Sequence, residues 1–202
     1  MKKIISIVLG IFIIAGVVIF YFASSKKNTE PEYMPCPVLE EGETMDVVIP
    51  DSMYRGLASC NAQDMKKEGR CVDVWVNDDG DLVIRLDQDT LEKNYNLYYD
   101  DIIKAVNHKE SEVKEEVTYD FSIVTLYVNA ETELYDFLRS IMVTPGTCYM
   151  LKLLQGIPRE EANVDVVVIY EPTGKEILKF DKNTKMNINQ EDWAKLLENG
   201  KN

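Results

Sequence analysis

Apolar positions along this chain follow two regimes, one continuous and one alternating. Residues 4–23 read I-I-S-I-V-L-G-I-F-I-I-A-G-V-V-I-F-Y-F-A, with one hydroxyl and no charge. A helix of that length covers roughly 30 Å, the hydrocarbon thickness of a bilayer. The run is longer than the apolar region of a cleaved signal peptide, about 7–15 residues. Phe20-Tyr21-Phe22 also crowds the region where a cut site needs small residues. Residues 1–23 are therefore expected to be a short cytoplasmic head and an uncleaved transmembrane signal anchor. Lys2, Lys3 and the α-amino group precede the span, and Lys26 and Lys27 follow it, which tilts the orientation toward a cytoplasmic N-terminus. The expected location is the cell membrane, single-pass, with the C-terminal domain extracytoplasmic.

Residues 24–43 contain Pro31, Pro35 and Pro37 and read as a stalk, since proline fixes φ and biases its predecessor toward extended backbone. The alternating regime then fills residues 44–202. V-D-V-W-V at 72–76 and L-V-I-R-L at 82–86 flank N-D-D-G, a strong hairpin signal. Leu91, Tyr95, Tyr98, Ile102 and Val106 recur near helical spacing and predict a helix over 88–107. Residues 120–129 and 163–170 are apolar enough on both faces to be central strands. Between them, residues 131–142 predict one helix. Thr144-Pro145 looks like a cap and first helical position that restarts a second helix through Leu154. A returning strand over 176–180 and a short helix over 189–197, capped by Asn189 with Trp193 inward, complete the chain. The order is β-β-α-β-α-β-β, with a further candidate strand at 45–49. It predicts an α+β fold, a two-layer sandwich of helices on one mixed or antiparallel sheet of four or five strands.

Charge narrows the function classes. Of 22 Lys and Arg, four lie at or before Lys27, so the remainder sets 18 basic residues against 35 acidic, a net of −17. Such a surface repels nucleic acid and anionic headgroups, so no nucleic-acid partner is expected. A basic envelope protein, a cationic ligand or a divalent ion remains admissible.

The four cysteines are Cys36, Cys60, Cys71 and Cys148, and no C-x-x-C occurs. Leu57-Ala58-Ser59-Cys60 matches a lipidation site by residue type, but the apolar segment such a site requires ended at Ala23, so Cys60 is not a lipid anchor. Cys60 and Cys71 are instead the candidate disulfide, closing a short polar loop before the hairpin. Cys148 lies among apolar residues as a buried thiol or as a partner of Cys36, which could also cross-link two chains. The acidic turn 77–81 lacks the glutamate that an EF-hand loop places about six residues after its glycine, so it reads as a turn. His108, the single histidine, falls at a helix end, where a cation complements the dipole. No G-x-S-x-G, G-x-G-x-x-G or Walker sequence is present. No catalytic residue, cofactor or metal is expected.

These residues point to a non-catalytic binding or scaffold module of the cell envelope, held to the membrane through residues 4–23. The alternative is a wall- or polysaccharide-acting enzyme that uses Asp and Glu carboxylates. A pilin-like subunit is a second alternative, although Ala15 stands where a pilin would carry glutamate. Nothing in the residues selects an oligomeric state.

Overall fold

The computed structural model describes residues 32–53, 58–108, 112–181, 184 and 186–202, with the side chains of residues 58–60 set aside. The anchor expected over 4–23 lies outside the described residues, and among those described no helix is long and apolar enough to cross a membrane.

The compact unit runs from Tyr33 to Asn202 and is α+β. Its strands are β1 (Met45–Ile49), β2 (Asp73–Val76), β3 (Leu82–Leu86), β4 (Lys114–Val117), β5 (Ile123–Val128), β6 (Asp165–Tyr170) and β7 (Lys175–Asp181). Its helices are α1 (Ala58–Lys67), α2 (Gln88–Asn107), α3 (Leu134–Leu154) and α4 (Gln190–Lys201). The strands form two sheets rather than the single sheet the sequence suggests. One is antiparallel with order β1-β3-β2, and the other has order β4-β5-β6-β7. In the second sheet β5 and β6 run parallel, joined through α3, while β4 and β7 lie antiparallel at the edges. Hairpin signals report sequence neighbours only. They do not say that β1 bypasses β2 to pair with β3, nor that α2 separates two sheets.

Three further departures have local causes. The expected polar loop before β2 is helix α1. Ala62 and Met65 supply its packing residues, too few for periodicity to show, and the helix ends ahead of Gly69, whose φ is +59°. Strand β4, sequence K-E-E-V, carries an edge strand's charges and so hides from an apolar pattern. The two helices expected over 131–154 are one helix, with Pro145 in its interior. Thr144 is not a cap. Its hydroxyl instead turns to Glu115 on β4.

Elsewhere pattern and structure agree. The 77–81 turn is closed by Asn77, whose side-chain oxygen accepts the N–H of Asp79 at 3.0 Å and of Asp81 at 2.9 Å. Helix α2 begins at an Asp87–Thr90 capping box, and α4 at an Asn189–Asp192 box. Trp193 is 1 % exposed, stacks on Phe137 at 4.4 Å, and donates its indole N–H to the Thr132 carbonyl at 2.9 Å. Gly200 lets α4 approach β6 closely, because a β-carbon there would stand 2.5 Å from the Tyr170 ring.

Residues 33–39, within the stretch read as a stalk, lie along α2. Tyr33 is buried between the rings of Tyr99 and Phe121, at 5.9 and 5.3 Å. Gln88 holds both sides of this strap. Its side-chain oxygen accepts the Leu39 N–H at 2.7 Å, and its amide donates to the Pro37 carbonyl. Tyr95 donates its hydroxyl to the Met34 carbonyl.

Candidate functional site

Helix α3 packs on α2, β1, β5 and β6, and so lies beside both sheets. A cleft of about 780 Å³ opens along it. The turn after β1 contributes Pro50, Ser52 and Met53, and the turn before β3 contributes Asp81. Ile141, Pro145 and Tyr149 come from α3, Arg159 and Glu160 from the α3–β6 connection, and Val166 and Phe180 from β6 and β7.

Pro145 shapes this cleft. With no N–H it cannot bond the Ile141 carbonyl one turn back, and Gly146 adds no side chain to the wall. One side of the helix is thereby left thin and one backbone acceptor is released from the helical ladder.

Three of the cleft's charges are joined to one another, and Asp181 accepts the Thr184 hydroxyl at 2.8 Å. Asp81 is 6 % exposed, accepts the Asp51 N–H at 3.0 Å, and forms an ion pair with the Arg159 guanidinium. Arg159 reaches Glu160 with its Nε at 3.2 Å. The Asp81 charge raises Arg159 further above its usual range, and burial pushes the Tyr149 phenol up. Arg159 therefore stays charged, and Tyr149 stays protonated as a donor. Ser52 makes no hydrogen bond to a base among the described residues. Met53, Ile141, Pro145 and Phe180 make an apolar wall, edged by Ser52, Tyr149 and Arg159.

The residues singled out from sequence fall elsewhere. Cys36, Cys71 and Cys148 carry free thiols, and the Cys60 side chain lies outside the described residues. Burial pushes the Cys36 thiol up to about 11, and desolvation raises Cys148, which is fully buried in α3. None of these thiols is poised as a nucleophile. His108 sits at the C-terminal cap of α2, at the rim of a second cleft. Asp81 appears in the sequence only as the last acid of a turn. Its partner Arg159 is 78 residues away, and no local signal links them.

No family model, curated protein or solved structure matches this chain.

Proposed function

We propose that the protein is a single-pass, membrane-anchored binding module of the cell envelope. Residues 4–23 hold it in the bilayer with the N-terminus cytoplasmic, and the acidic α+β domain presents the α3 cleft to an envelope partner. The observation that carries this reading is the Asp81–Arg159–Glu160 chain, in which three of the cleft's charges are engaged by one another. A recognition surface needs fixed shape and oriented donors, and such a chain supplies both. Cys60 and Cys71 belong to the same reading, since an oxidising compartment would let them pair.

The test places a photo-crosslinking residue at Ser52 of the full chain in its native membrane, followed by mass spectrometry. One stoichiometric protein adduct, lost on cytoplasmic-side relocation of the domain, supports the reading. Labelling of saccharide alone, together with its hydrolysis by the purified chain, overturns it in favour of the enzyme.

A further inference from the structure

A second cleft, about 470 Å³, opens where the end of α2 meets β4 and α3. Asp136, Ser140 and Thr144 line it from α3, and spacing of four residues makes them one row along the helix. Across from them stands Glu115. The β4–β5 register sets Glu115 opposite Leu126, so its side chain shares the sheet's buried face with Val124, Leu126 and Val128. Glu115 is 7 % exposed. Its Oε2 accepts the Thr144 hydroxyl, and among the described residues no cation pairs with it. Ser140 is 8 % exposed, and its hydroxyl has no hydrogen-bond partner among the described residues.

Tyr33 and Gln155 carry the buried, unpartnered side-chain atoms of the described residues, so the Ser140 hydroxyl and the free Glu115 oxygen are instead reached from the cleft. Each residue is otherwise packed into the protein, which leaves these polar atoms facing the opening. Here the two line one cavity, open to whatever can satisfy both. Of the cations at the rim, Lys104 is engaged with Asp101 at 3.4 Å, and Arg139 is exposed and forms no ion pair among the described residues. A metal ion is a poor fit, since no three His, Cys, Asp or Glu side chains among the described residues come close enough to hold one. An alkylammonium group suits the oxygens better, because it carries one positive charge and three N–H donors that tolerate wider spacing.

We propose that this cleft binds a small primary amine, its ammonium group seated between the Glu115 carboxylate and the Ser140 hydroxyl. Asp136 and Glu112 add negative potential around the entrance, and the amine's short alkyl tail lies toward Val143. The site is separate from the α3 cleft and does not depend on the membrane-anchored reading.

His108 lines the cleft and is the chain's single histidine, so its ring protons are a built-in reporter. The full chain in detergent micelles is titrated with ethylammonium chloride, with sodium chloride as the ionic-strength control. The expected result is a saturable His108 shift with ethylammonium and none with sodium. Glu115→Gln keeps an acceptor for Thr144 while removing the charge, and weakens binding about tenfold or more. Ser140→Ala weakens it about threefold. Absence of a saturable shift, an equal response to sodium, or unchanged affinity in a folded Glu115→Gln overturns the proposal. If Glu115→Gln does not fold, unchanged affinity in Ser140→Ala overturns it.

Discussion

Asp81 and Glu115 are the same problem solved in two ways. Both are buried carboxylates, Asp81 in the turn before β3 and Glu115 on β4, 6 % and 7 % exposed, and each lines a cleft beside α3. Asp81 has its counter-charge built in, from Arg159, and a backbone N–H from Asp51. Glu115 has one neutral hydroxyl, from Thr144. The fold therefore closes the electrostatics of the larger cleft and leaves those of the smaller one open. Where a buried charge is paired internally, removing the partner should cost stability. Where it is not, removing the charge itself should cost little.

The comparison breaks most sharply at Arg159. Arg159→Leu strands the Asp81 carboxylate inside the protein, and the melting temperature should fall by on the order of 5–10 °C, read by circular dichroism. Adding Asp81→Leu to that variant should restore part of the loss, because the orphaned charge goes with it.

Thr144→Val is next. It removes the one hydrogen bond on Glu115 and should cost about 1–3 kcal/mol in urea denaturation. In a Glu115→Leu background the same change should cost less than about 1 kcal/mol, since no buried acceptor is left waiting. A full, undiminished cost would mean that Thr144 acts through packing alone.

Glu115→Gln should move stability by no more than about 1 kcal/mol in either direction, because the acceptor survives and an uncompensated charge is lost.

Asp46 gives the exposed counterpart and the smallest effect. Arg85 grips its carboxylate with two hydrogen bonds of 2.8 Å, and these hold the group below the usual carboxylate value of 3.8. A depressed folded value means the stabilisation is present above the unfolded value and is lost as pH falls through the folded one. Asp46→Asn should shift the acid-unfolding midpoint by only a few tenths of a pH unit, about what a solvent-screened pair supports. A shift as large as a whole unit would mean that surface pairs, not buried ones, dominate acid stability.

The contrast also marks what the sequence could convey. The β2–β3 hairpin, α2, β5, β6 and the capped α4 with Trp193 were all legible, because turn chemistry and periodicity are local. Helix α1 was not, with two packing residues among ten, nor was β4, whose K-E-E-V looks like solvated surface. Pro145 argued for a break, yet tertiary packing carries α3 through it, with Thr144, Cys148, Leu151 and Leu154 all buried. Both clefts were invisible for the same reason. Asp81 meets Arg159 across 78 positions and Glu115 meets Thr144 across 29, and among 35 acids neither stands out until the chain is folded.

Asp81→Asn and Glu115→Gln make the most direct test, since each swaps a buried carboxylate for its amide with almost no change in shape. Their unfolding free energies should be measured side by side at neutral pH on the full chain. Asp81→Asn should lose clearly more stability than Glu115→Gln, by at least about 1 kcal/mol. Equal losses, or the reverse order, would contradict the division between a closed and an open electrostatic site.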